Sequence, residues 1–206
     1  MGELVHGYDR ELYSEALVAA RRCELAAESD DPDASQAGPA AAAIVLAEAS
    51  LEAFVSESLA LFEGTGTITA DARKRIRRER HFWNKCRGLY EELSGESLDR
   101  SRIYHDRLLP LIKLRHCILH RAAEMRAPGE WPELIAPYRD RIDHVEGEGL
   151  HWTSQLFTFP TARWATWAAF FSRRKIHEAL PRKTMPEKFY QAFTTWVLDL
   201  ESPDAS

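Results

Sequence analysis

Apolar residues recur along most of this chain at spacings of three, four and seven, the period of an α-helix with one buried face. Residues 9–28, DRELYSEALVAARRCELAAE, are rich in Ala, Leu, Glu and Arg and predict a first helix. SDDPDASQAGP reads as a loop by composition. Pro39 suits the first turn of a second helix, in which Ile44, Leu51, Val55 and Leu59 keep helical spacing up to about Phe62. EGTGTIT stops it. A third helix is expected from near Ala70 to about Leu93, with Ile76, Trp83, Cys86, Tyr90 and Leu93 as its inward stripe. A fourth starts at Pro110 as its first helical residue and runs to Arg126, before APG. A short fifth helix covers 131–144. VEGEGLHWTSQLFTFPT carries strand-forming residues and reads as a hairpin arm or an ordered loop. Residues 162–180 form a sixth helix, ended at Leu180-Pro181, and 185–200 a seventh before a frayed tail. The pattern predicts an all-α antiparallel helical bundle with a short irregular or β insertion near 147–160 and extra C-terminal helices.

Composition changes this picture little; charge distribution changes it more. Hydrophobic residues make up 45% of the 206 and charged residues 29%, ordinary values for a folded globular chain. The net charge of -5 hides an asymmetry. Residues 1–63 hold 13 acidic and 3 basic side chains, whereas 71–90 hold 8 basic and 2 acidic. A basic block inside an acidic protein points to a polyanion or an acidic partner surface, with a plain solvated face as the alternative. Two basic rows are expected along the third helix: Arg73, Arg77, Arg80 and Arg87, and Lys74, Arg78, His81 and Lys85. Three scattered cysteines, Cys23, Cys86 and Cys117, suit neither a disulfide framework nor a Cys-based zinc site. The N-terminus has no basic lead-in and no long apolar run, so no signal peptide is expected. The most apolar stretch, AAAAIVLAEASLEAFV, carries two glutamates and reads as too short to span a bilayer. The expected location is cytoplasmic.

The fourth helix carries the candidate chemistry in LRHCILHR, residues 114–121. On a wheel of about 100° per residue, Leu111, Leu114, Ile118, Ala122 and Met125 lie within about 40° of Ile118, an ordinary core stripe. Ile112 and Leu119 lie roughly 100–120° away, with His116 and His120 beside them. A helix apolar on two sides is buried on two sides. One cover is its own bundle; the other is expected to be a second copy of the chain.

RHCILH resembles the signature of the HEPN family, small all-α domains of RNA-cleaving toxins and defence proteins: Arg, a polar residue, apolar residues, then His, within one helix. The Ala-rich second helix resembles the early helix that such domains pack against the motif helix. The resemblance covers residues 9–127, so a HEPN-like bundle over 1–127, with its motif helix at 110–126, is expected. Residues 128–206 fall outside it and are read as a C-terminal helical extension packed on the same domain. It implies a homodimer with both motif helices facing one cleft. It also implies a metal-independent endoribonuclease, needing no cofactor, whose partners are RNA and a neighbouring-gene protein such as an antitoxin. In such a site His120 would serve as general acid or base, Arg115 would stabilise the phosphate, and His116 would orient the phosphate or His120. Arg73, Arg77, Arg78, Arg80 and Arg121 would hold the RNA backbone, and Trp83, Phe82 or Trp152 would stack unpaired bases.

Two structural alternatives accompany this reading. Arg115 pairs with Glu48 or Glu52 inside the bundle, leaving the histidines satisfied at an interface. Or His116 and His120, spaced i, i+4, hold a metal, although CIL between them lacks the Glu of an HExxH site. A non-catalytic module that binds a protein or nucleotide through the same bundle is the second functional class.

Overall fold

The computed structural model of the chain describes residues 7–31, 34–121, 126–127, 129–147 and 149–180, without the side chains of Arg100 and Arg121. Among the described residues there are seven α-helices: α1 (Tyr8–Ala27), α2 (Ala37–Gly64), α3 (Ala70–Arg77), α4 (Phe82–Ser94), α5 (Leu109–Arg121), α6 (Trp152–Leu156) and α7 (Phe159–Glu178). Short 3-10 turns at Leu98–Arg100 and Ala136–Arg141 and one π-turn at Tyr104–Leu108 complete it. No strand occurs among the described residues, so the all-α expectation holds for them. The expected seventh helix at 185–200, and Ala122 and Met125 of the core stripe, lie outside the described residues.

The central element is α2. Its apolar residues face every direction, and a helix apolar all round is one enclosed by neighbours. It packs on α1, α5 and α7 and contributes to two core clusters. One cluster joins Leu51, Phe54, Val55 and Phe62 of α2 to Cys86 and Leu89 of α4 and to Ile176 of α7. The other joins Ile44 and Ala47 to Tyr13 of α1, Trp131, Trp152, and Trp164 of α7. So α7, from the part of the chain outside the motif resemblance, shares both cores with α2. At 28 residues α2 is longer than its sequence pattern suggests, and by length and composition alone it is long enough to cross a membrane.

Four expectations about elements need correcting. The third helix is two helices. Arg77 to His81, RRERH, has no apolar residue to bury, and like charges one turn apart repel. The helix ends there and α4 restarts on Phe82. Asn84 Nδ2 donates to Glu79 Oε2 across the break at 3.2 Å. Then α4 folds back on α3 so closely that a Cβ at Gly88 would lie 3.2 Å from Ile76.

The fourth helix does not begin at Pro110. Helical backbone starts at Arg102, and Pro110 sits inside it after the π-turn. Proline has no N–H to donate and its ring crowds the carbonyl four residues back. The wider turn accommodates that: Leu109 N–H donates to Tyr104 O, passing over His105. The freed His105 carbonyl accepts instead from Arg141 Nη1 at 3.1 Å.

The region near 147–160 carries the short helix α6 rather than a hairpin arm. Its Gln155 receives Trp131 Nε1 at 3.0 Å and donates to Leu150 O at 3.0 Å, so one amide side chain ties the irregular chain before it. Instead of a helix over 131–144 there is one 3-10 stretch, Ala136–Arg141.

Candidate functional site on the motif helix

Helix α5 is buried differently along its length. Leu111, Leu114 and Cys117 lie fully buried in the second core cluster. Ile112, expected on the face awaiting a second copy, is 6% exposed and packs in the first cluster of its own chain. The N-terminal half of α5 is therefore apolar on two sides because it separates two cores of one molecule. Its C-terminal half is open. His116, Leu119 and His120 are exposed there, Leu119 to 48%. The two imidazoles sit one turn apart with ring centroids 4.7 Å from each other, tilted by 50°.

Arg115 borders this open side and reaches back into the bundle. Its Nε lies 3.4 Å from Oε2 of Glu48, whose side chain is 2% exposed against 32% for Arg115. Neither atom completes an aligned hydrogen bond, so the contact is one of charge with charge. Burial pushes the Glu48 carboxyl up to about 7; the Arg115 cation opposes the rise and Glu52 adds to it. Cys86 of α4 lies beneath, its thiol driven up by burial first and then by Glu48 and Glu52. Arg115 thus joins an exposed pair of imidazoles to a buried carboxyl. Of the two partners the sequence suggested for Arg115, Glu48 is the one it meets.

The other candidate residues are more dispersed. Because the third helix breaks, Arg73, Arg77, Arg80 and Arg87 share no helix face. Arg73 ion-pairs with Glu63, and Arg87 Nη1 lies 3.3 Å from Asp99 Oδ2. Arg77, Arg78 and Arg80 are exposed and carry no ion pair among the described residues. The side chain of Arg121 lies outside the described ones. Two of the three proposed stacking residues are ruled out: Phe82 and Trp152 are buried core residues. Trp83 is partly exposed. His81 stacks on it at 4.2 Å with planes 7° apart, and Lys113 Nζ lies 4.2 Å from the ring centroid. Sequence reasoning missed Lys113, although it stands three and seven residues before His116 and His120 on one helical row.

A cavity of about 260 Å³ opens between α3 and α4, away from α5. Its cations are already engaged, Arg75 with Glu92 at 2.6 Å and Arg87 with Asp99. Among the described residues no three His, Cys, Asp or Glu side chains gather as a metal-ligand set, so His116 and His120 have no third ligand there. No known protein family, curated protein or solved structure matches the chain.

Proposed function

We propose that the chain is a metal-independent endoribonuclease of the HEPN type, working as a homodimer at the open half of α5. One observation carries the reading: Arg115, His116 and His120 border a single uncovered surface, with Arg115 anchored from behind by a buried carboxyl. RNA brings its own nucleophile. An imidazole removes the 2′-hydroxyl proton, the 2′-oxygen attacks phosphorus, and an imidazolium returns a proton to the departing 5′-oxygen. The products are a 2′,3′-cyclic phosphate and a 5′-hydroxyl. We assign His120 to proton transfer, Arg115 to the phosphorane charge, and His116 to orienting the phosphate or His120. Arg115 and His120 stand about 140° apart on one helix, so a twofold-related copy supplies the complementary half of the cleft. Exposed Arg77, Arg78 and Arg80 supply cations for the RNA backbone. The setting we infer is cytoplasmic, with a neighbouring-gene protein such as an antitoxin as restraint.

The test is cleavage of single-stranded RNA with analysis of product ends. His120→Ala and Arg115→Ala should each lower the rate by about 10²- to 10⁴-fold while circular dichroism and sedimentation stay as in the parent. Parental rates in both variants would remove the assignment, and loss of activity in EDTA would favour a metal site at the histidine pair.

A second reading rests on the Glu48 contact. An Arg115 held by its own bundle also suits a HEPN-like interaction module that binds a protein or nucleotide without cutting. A purified dimer that captures such a partner and leaves varied RNAs intact would favour it.

A further inference from the structure

Beside the open half of α5 lies a second arrangement that the proton-transfer chemistry does not use. His81 precedes α4, and its exposed ring lies parallel to Trp83, 4.2 Å away with planes 7° apart. Trp83 packs against the first core cluster, so the lower ring is held by the fold. Lys113 Nζ lies 4.2 Å from the same indole. The three groups come from α4, the residue just before it, and α5, 32 positions apart at the extremes of the sequence they span. Imidazole and ammonium each lie 4.2 Å from the same indole centroid. A cation over an indole is attracted by the ring quadrupole, and desolvation raises that attraction.

Two features connect the stack to α5. Lys113 lies about 20° from His120 and about 60° from His116 around the helix, and about 10 Å from His120 along its axis. One row of α5 therefore runs from the ammonium at the stack to the imidazoles. The surroundings are also cationic: Arg78 and Arg80 are exposed just before His81, and the first turn of α4 holds no acidic residue.

We propose that the His81–Trp83–Lys113 stack is a subsite for an unpaired nucleobase of single-stranded RNA. The base lies on the His81–Trp83 platform while the strand runs along α5 toward His116 and His120; this rests on the ribonuclease reading above. The parallel imidazole–indole pair is already closed at stacking distance, so the base lies on the exposed outer side of His81, and stacking of this kind tolerates any base. The subsite therefore selects for an unpaired strand rather than for a sequence.

The test uses the full-length His120→Ala protein, which leaves RNA uncut, with a fluorescein-labelled single-stranded 12-mer and anisotropy as readout. His81→Ala should weaken binding about tenfold, the loss expected for one stacked base. One abasic nucleotide, moved along the 12-mer, should cost a similar factor at one position and almost nothing once His81 is removed. Trp83→Phe, which keeps an apolar ring against the core, should weaken binding by less than His81→Ala. The same sequence in duplex form should bind more weakly than the single strand. Equal affinity of parent, His81→Ala and Trp83→Phe for an RNA that the unmodified chain still cuts would overturn the subsite and leave the ribonuclease standing. Tight, His81-dependent binding of an RNA that is never cut would uphold the subsite and remove the ribonuclease. Absence of any binding to single-stranded RNA would remove both.

Discussion

The Nε of Arg115 lies 3.4 Å from Oε2 of Glu48, an exposed-side cation against a carboxyl almost wholly enclosed by α2 and its neighbours. A lone carboxylate at that depth is costly, and one half-exposed guanidinium does not offset the whole cost. The Glu48 carboxyl accordingly titrates at about 7, above its ordinary 4.5. Folding therefore takes up a proton between those values. The stability linked to Glu48 is complete below about pH 4.5 and is lost as the pH rises through 7. Its upper size is about 3 kcal/mol. Glu57 shifts in the same direction, to about 7, through burial first and the neighbouring Asp9 second. Urea unfolding of the parent should show stability falling from pH 5 to pH 8, and Glu48→Gln should remove a large share of that fall. An identical pH slope in Glu48→Gln would show that Glu48 is not the titrating group. The same variant leaves Arg115 without its anchoring charge, so RNA cleavage should drop even where the fold is retained.

Leu119 tests the dimer. It is 48% exposed between His116 and His120 on the open half of α5. A single exposed leucine is unremarkable by itself. Here, however, the proposed chemistry needs a second copy against this surface, and an axis passing through this half of α5 would bring Leu119 near its own symmetry mate. Leu119→Lys puts two like charges at that seam. Sedimentation should report a monomer at micromolar concentration, with cleavage lost and the circular dichroism spectrum unchanged. A dimer that survives the substitution with full cleavage would locate the interface elsewhere.

All three cysteines are buried and none forms a disulfide, Cys117 lying in the motif itself. Burial raises the Cys23 thiol to about 11 and drives Cys86 well above its ordinary value. The thiolate is the reactive form and all three sulfurs are shut from solvent, so none should react with a disulfide reagent such as dithionitrobenzoate while the chain is folded. Reaction should appear only with unfolding, at the rate of unfolding. Fast labelling of one thiol in the native protein would mark an opening of the helix that carries it, α1 for Cys23, α4 for Cys86 or α5 for Cys117.

Legibility in the sequence followed the range of the forces involved. The helices α1, α2 and α7 have apolar positions at regular spacing, and such local periodicity reads directly. The break between α3 and α4 did not, because RRERH keeps helical spacing while lacking anything to bury. Pro110 misled for a related reason. Proline suits the first helical turn, and only tertiary contacts, such as Arg141 on the His105 carbonyl, make it tolerable within the helical backbone that starts at Arg102. Residues 147–160 look strand-like from their aromatic and branched side chains, yet Gln155 and the buried Trp152 fix them as a short helix in a loop. At the site, Arg115 and its two histidines were visible because they share one helix. Lys113 was not, because its meaning comes from Trp83 of another helix. The two-sided apolarity of α5 divides in the structure: Ile112 faces a second core of the same chain, a distinction that no wheel contains, whereas Leu119 stays exposed.

The deepest polar contact in the described molecule ties α7 to α1. Arg173 Nη1 lies 2.9 Å from Asp9 Oδ2, with side chains 0% and 1% exposed, and Nη2 donates to the Asp9 carbonyl at 3.2 Å. The guanidinium lies 5.0 Å from the Tyr13 ring and 5.4 Å from that of Phe54. Burial lowers its basicity to about 10, Asp9 opposing, so it stays charged throughout the neutral range. Replacing one member of a buried pair is far more damaging than replacing both, because the survivor keeps its desolvation cost. Arg173→Met should therefore destabilise by about 3–5 kcal/mol in urea unfolding. Adding Asp9→Leu should recover much of that loss, and a double-mutant cycle measures how much. If the double variant loses the sum of the Arg173→Met and Asp9→Leu single losses, the pair contributes through packing alone and the charge of Arg173 is incidental.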